Sequence, residues 1–320
     1  MRLDGPESQN VEDRRGEGGG GGMGGGFGGP GGGGFRLPIP GGKGGLGIIA
    51  VILIAAFFGV DLTGMMGGDD PGQQPAPQER RVDPGQAPGL PGRTGGSANN
   101  GSAAGEDAGR RFVAQVLGET ERVWTEQFQA MGKTYTDPKL VLFSGATRSG
   151  CGTAQAQTGP FYCPNDQKVY IDLDFMRQLQ QRLGANGDFA SAYIIAHEVG
   201  HHVQDELGIL SRARQVQERY GNGEEANQVQ VRIELQADCL AGVWANHADA
   251  ERHILEQGDL DEALNAAAAV GDDHIQQQTR GTVQPETFTH GSSAQRSRWF
   301  RRGFQGGTLQ GCDTFGAQQL

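Results

Sequence analysis

The sequence has no basic stripe, no Cys-x-x-Cys pair and no repeat period, and its first hundred residues hold too little apolar side chain to build a core. Each lack removes a class of protein. Nucleic-acid backbones are held by clustered Lys and Arg. This chain carries a formal charge of −11, and from residue 106 onward 19 Lys and Arg face 28 Asp and Glu. Nucleic acid is therefore excluded as the main partner. Without Cys-x-x-Cys spacing, the four cysteines do not build a thiolate zinc knuckle.

What the front third has instead is glycine: of the 56 in the 320-residue chain, 31 fall in the first 100 positions. Such a segment cannot offset its own chain entropy. Residues 1–43 read as a disordered Gly-rich cytoplasmic tail around the run Gly16 to Gly34, and residues 65–105 as a Pro/Gly-rich tether. Between them, Gly44 to Val60 carries no charge and includes the apolar run Ile48 to Phe58. A spanning helix needs about 20 apolar residues, with roughly 17 as the lower limit, so 44–64 reads as one transmembrane helix and a bilayer as its partner. Arg36 and Lys43 precede it, whereas Asp61, Asp69 and Asp70 follow. Flanking positive charge stays inside. The expectation is a single-pass inner-membrane protein with its N-terminus in the cytoplasm and its domain periplasmic or extracellular. Cys151, Cys163, Cys239 and Cys312 are even in number, as suits an oxidising compartment. Three pairings exist; the short loop favours Cys151–Cys163, with Cys239–Cys312 tying the tail to a helix.

From 106 to 320 the chain reads as one domain. Phe112, Val116, Val123, Trp124, Phe128 and Met131 fall at helical intervals. Residues 140–143 and 168–173 read as strands. Helices are expected at 174–183, 189–207, 209–220, 225–248, 260–270 and 292–304. Many helices with few strands make an α+β domain.

The chemistry is concentrated in Ala196-His197-Glu198-Val199-Gly200-His201-His202. On a helix, His197 and His201 stand one turn apart on one face. They can share a zinc ion, and Glu198 is placed to polarise a water there. A catalytic zinc takes three protein ligands. Glu234 and Asp238 lie four apart on a later helix beside an apolar run, so Glu234 is assigned as the third ligand. Asp238 then holds the free nitrogen of a ligating histidine. His202, His247 and Asp238 itself are the rival ligands; His202 points roughly 100° away from His201.

His-Glu-x-x-His followed by Glu-x-x-x-Asp is similar to the gluzincin arrangement of thermolysin-like peptidases. More closely, the chain resembles the bacterial neutral zinc metallopeptidase family. The resemblance rests on Asn10-Val11-Glu12-Asp13-Arg14-Arg15, the glycine run, Phe58-Gly59-Val60-Asp61, Cys151 with Phe161-Tyr162-Cys163-Pro164, residues 197–202 and Glu234-Leu235-Gln236-Ala237-Asp238-Cys239. It covers nearly all of the chain except 67–105. It implies a mainly helical, zincin-like fold with the strand at 168–173 at the cleft edge, and a reaction class without a substrate. Thr289-His290-Gly291 with Arg296 is similar to the Thr-His-Pro…Arg element of membrane-bound heat-shock and prenyl-protein peptidases, except that Gly291 replaces proline. That likeness makes His290 or Arg296 an oxyanion donor, with Tyr170 and Tyr193 as further candidates. The other reading is that Ser292 or Ser293 caps a basic helix whose Arg296, Arg298, Arg301 and Arg302 are solvated.

The combined expectation is a membrane-anchored zinc endopeptidase holding one zinc per chain and acting on a peptide or protein. Glu198 would take the proton of the attacking water and pass it to the leaving amine. The alternatives are a catalytically silent zinc-binding scaffold and a zinc hydrolase of a non-peptide amide such as cell-wall material.

Overall fold

The computed structural model describes residues 1–17, 100–155, 159–183 and 187–320. The expected transmembrane helix at 44–64, the glycine run from residue 18 on and the tether up to residue 99 lie outside the described residues. Among those described, no helix is long and apolar enough to cross a membrane.

Helix α1 (Asn100–Ala130) opens the domain by burying Val116, Val123, Trp124 and Phe128, the stripe its periodicity predicts, with Phe112 and Met131 packed against the same core. Strands β2 (Lys139–Phe143) and β6 (Lys168–Asp172) then pair in parallel, Leu140 opposite Val169 and Leu142 opposite Ile171. Both are buried from their second residue on, which is why Leu140 to Phe143 is an unbroken apolar run rather than an alternating one. The mixed sheet has the order β1-β2-β6-β5, with β1 at Val11–Asp13 and β5 at Phe161–Cys163. The strand at 168–173 is thus interior, and the edge belongs to β5, which pairs antiparallel with β6. A small hairpin, β3 (Ala146–Ser149) and β4 (Gly152–Gln155), is stapled to that edge by the Cys151–Cys163 disulfide.

The helical layer consists of α2 (Leu173–Leu183), α3 (Asp188–Glu206), α4 (Ile209–Tyr220), α5 (Glu224–Arg252), α6 (Asp259–Ala269), α7 (Asp272–Arg280) and α8 (Ser293–Gly306). A second disulfide, Cys239–Cys312, ties α5 to the C-terminal tail. The domain is α+β and mainly helical, as the sequence predicts.

Residues 1–17 correct the expectation of a tail disordered throughout 1–43. Val11, Glu12 and Asp13 pair in parallel with Leu140, Val141 and Leu142. The Leu140 amide donates to the Asn10 carbonyl at 2.9 Å, and the Arg14 amide to the Leu142 carbonyl at 2.8 Å. Ser8 and Asn10 side chains both donate to Glu121, while Lys168 donates to Glu12 at 2.8 Å. The α-amino group of Met1 reaches both carboxylate oxygens of Asp188, at the start of α3, at 2.9 Å. These residues precede the glycine run and have the charge and apolar content to cover an otherwise open sheet edge.

Helices α5 and α8 cross at two glycines. A Cβ on Gly303 would stand 1.9 Å from the Cys239 carbonyl oxygen, and one on Gly242 would stand 2.1 Å from that of Phe300. No side chain fits there without separating the helices. Gly303→Ala is expected to cost at least about 2 kcal/mol, as overpacking of a close-packed core does, and to lower the thermal midpoint followed by circular dichroism. An unchanged midpoint would show that the crossing is looser than described.

Candidate metal site

The donors of His197, His201 and Glu234 lie within 4.8 Å of one another. Helix α3 presents the two histidines on one face because they are four residues apart, and α5 brings Glu234 against them. Gly200 sets the spacing of these helices: a Cβ there would lie 3.0 Å from the Ala237 carbonyl oxygen. Both imidazoles turn Nε2 toward Glu234 Oε2, at 3.3 Å from His197 and 3.7 Å from His201. Their Nδ1 atoms are committed elsewhere, His197 to Asp238 at 2.9 Å and His201 to Gln204 Oε1 at 2.8 Å.

Two imidazole nitrogens and one carboxylate, converging with the second imidazole nitrogens already bonded, are donors of the kind and number that could hold a zinc ion. The residues fit the metal. Asp188, Asp259 and Glu262 also bring oxygens together, but there the Met1 amine occupies the cluster.

Asp238 is wholly buried and is the node of the site. Besides His197 it accepts from the Tyr193 hydroxyl at 2.5 Å and from Arg296 at both oxygens, each at 2.8 Å. Burial alone would raise its pKa, yet Arg296 and His197 outweigh burial and hold it at about 2. Burial likewise works to lower the His197 pKa, but the Asp238 and Glu234 carboxylates overcome it and lift it to about 9 in the metal-free protein. For Glu234, burial opposes ionisation, and the facing histidines overcome it and keep the carboxyl well below its usual range. Glu198 differs. Burial dominates and raises its pKa, against the neighbouring histidines and a hydrogen bond from the Tyr162 amide of edge strand β5.

Several candidates are repositioned. Arg296 is not aimed at a cleft: it is 4% exposed, its Nε and one terminal nitrogen grip Asp238, and the other donates to the Val270 carbonyl at 3.3 Å. It is neither a solvated arginine nor free to serve as an oxyanion donor. Tyr193 and Tyr170 are also withdrawn from that role, because their hydroxyls donate to Asp238 and Asp166. His202 is buried between the Tyr162 hydroxyl and the Thr136 carbonyl, and His247 lies against the Gly307 carbonyl; neither joins the ligand cluster. Ser292 does cap α8, in a capping box with Gln295.

His290 remains beside the site, near enough to Glu234 for each to feel the other's charge. Asp272, which the sequence reading missed, holds it: the amides of Thr289, His290 and Gly291 converge on one carboxylate oxygen at 2.7, 2.6 and 3.0 Å, and His290 Nδ1 lies 3.2 Å from the other. Gly291 has φ +88°, a conformation closed to proline, so the backbone here differs from that of a Thr-His-Pro element. Gln204 was missed as well. Asp272 has no spacing signal, being 18 positions from His290, whereas Gln204 follows His201 by three residues on α3, a spacing that sets the two side chains side by side.

The whole-chain comparison agrees with this geometry. Residues 1–315 match the family described as "Putative neutral zinc metallopeptidase". The chain belongs to that family. It is 49% identical over 317 residues to Escherichia coli (strain K12) "Uncharacterized protein YpfJ", covering 99% of each chain. It is 46% identical over 230 residues to Mycobacterium tuberculosis (strain ATCC 25618 / H37Rv) "Uncharacterized protein Rv2575", covering 68% of this chain and 75% of that one. No solved structure matches it.

Metal uptake must displace the proton from His197. With that proton held up to about pH 9, zinc binding at pH 7 is expected to release about one proton and to strengthen about tenfold per pH unit between pH 7 and 9. Calorimetric titration in buffers of different ionisation enthalpy measures the release. No proton release would contradict the assigned charge state.

Proposed function

We propose that this protein is a zinc-dependent endopeptidase holding one zinc per chain through His197, His201 and Glu234. The observation that carries the reading is a buried carboxylate, Glu198, next to three convergent donors that leave a coordination position open. Zinc bound there supplies Lewis acidity toward a carbonyl and toward water. Glu198 accepts the proton of the attacking water and returns it to the leaving amine; its burial-raised pKa suits both directions of transfer. His290, oriented by Asp272, donates from Nε2 to the oxyanion as it forms. Strand β5, whose Tyr162 amide bonds Glu198, is the strand along which an extended peptide would lie, with alternate side chains directed to either face.

Glu198→Gln keeps the shape of the site and removes the base, so turnover is expected to fall at least 100-fold while zinc remains bound. The test is a peptide library read by mass spectrometry, with the full chain beside its variant and zinc content measured on both. Wild-type turnover by Glu198→Gln would sink the mechanism. Zinc binding without cleavage by either protein would favour a silent scaffold or a non-peptide amide substrate.

For location, two disulfides favour an oxidising compartment. Strand β1 pairs with β2 of the domain, which supports one compartment for residues 1–17 and the domain. A single crossing between them would put paired strands on opposite sides of a bilayer, so we propose that the N-terminus accompanies the domain. A protease-cleavable tag ahead of Met1 is expected to be cut by protease added to intact spheroplasts. Protection of the tag while the domain is digested would restore the single crossing that the flanking charges suggest.

A further inference from the structure

Two ligand histidines held in unlike ways raise the question of what fixes the one that lacks a carboxylate. His201 Nδ1 faces Gln204 Oε1 at 2.8 Å. Gln204 Nε2 donates to the Ile233 carbonyl at 2.8 Å and to Gln236 Oε1 at 3.0 Å. Gln236 Nε2 donates in turn to the Cys312 carbonyl at 2.9 Å. A backbone carbonyl only accepts. The Ile233 and Cys312 carbonyls therefore compel each glutamine to turn its nitrogen outward and its oxygen toward the metal site. That polarity leaves His201 Nδ1 no role except donor, so its lone pair is on Nε2, facing Glu234.

We propose that Gln204 and Gln236 are positioning residues: a neutral relay that fixes the tautomer and ring orientation of His201, with its outer end set by the Cys239–Cys312 disulfide. The inference rests on the ligand assignment above but not on peptidase activity. Cys312 has little freedom to move. It is disulfide-bonded to α5 one residue beyond Asp238. The tail that follows is held by Thr314 Oγ1 donating to the Arg232 carbonyl at 2.7 Å and by Arg232 donating to the Thr314 and Ala317 carbonyls. Gln204 is fully buried and Gln236 is 7% exposed, so water does not substitute for a lost link. A glutamine orients the ring without adding charge, whereas Asp238 adds a charge at His197 that Arg296 must balance.

The test is zinc affinity of the full chain by chelator competition, with the visible spectrum of the cobalt-substituted protein as a second readout of ligand geometry. Gln204→Leu is expected to weaken zinc about 10- to 100-fold, the usual effect of removing a ligand's hydrogen-bond partner, and to alter the cobalt bands. Gln236→Leu should weaken it about tenfold; Gln236→Glu, which keeps size and acceptor but not the donor to Cys312, serves if the leucine variant fails to fold. Replacing both Cys239 and Cys312 by Ala should weaken zinc about tenfold in the wild-type background and no further once Gln236 is replaced. Such non-additivity marks a shared path, because general destabilisation would add. Wild-type affinity in Gln204→Leu, or equal cysteine effects in both backgrounds, would overturn the relay. A wild-type chain that bound no zinc would instead refute the ligand set, and one that bound zinc but cleaved nothing would leave the relay standing.

Discussion

A carboxylate removed from water keeps its charge only where opposite charge and hydrogen-bond donors replace the solvent, and Asp238 shows how much of a fold that can demand. Its partners come from two other helices: Tyr193 and His197 from α3 and Arg296 from α8, while Asp238 itself sits on α5. None of these helices can shift alone without leaving a buried group unpaired. The glycine crossing of α5 and α8 belongs to the same constraint, because Arg296 grips both oxygens of Asp238 only if the helices approach backbone to backbone. Once Asp238 is held, the His197 ring has one orientation and its Nε2 faces Glu234.

The two histidines then meet the metal position under different electrostatic terms. His197 leans on an ionised carboxylate whose charge Arg296 offsets, and His201 leans on a neutral amide. Glu234 is thereby left as the carboxylate among the three convergent donors. Glu198 stands apart from that balance. Its burial favours the protonated form, while the neighbouring histidines and the Tyr162 amide favour the ionised one.

The sheet meets the site at strand β5. Among the described residues the sheet ends on β1 and on β5, and the Tyr162 amide of β5 bonds Glu198. The N-terminal residues do more than cap a strand, since the Met1 amine meets Asp188 at the first turn of the helix that carries both histidines. The far end of the chain reaches the same helix by another route, through Cys312, Gln236 and Gln204 to His201. Both termini are thus tied to α3.

Local periodicity was legible because it depends on chain geometry alone. A four-residue spacing puts His197 over His201, and Glu234 over Asp238, in any α-helix, and apolar intervals placed most helices within a few residues of their observed ends. The even cysteine count and loop lengths were enough to favour the observed pairing of disulfides. Composition misled at the N-terminus, where Val11-Glu12-Asp13 is too short to declare itself a strand and becomes one only against β2. It was equally mute on Arg296, which reads as solvated or catalytic until α5 and α8 bring it to Asp238. It was mute too on Asp272 with His290 and on Gln236 with Gln204, because the partner that satisfies a buried polar group is chosen by packing across the chain. The sequence alone determined the candidate ligands and the helices that bear them. Only the tertiary structure decided which side chains hold those ligands still, since a buried donor or acceptor must pair with whatever the fold brings within reach.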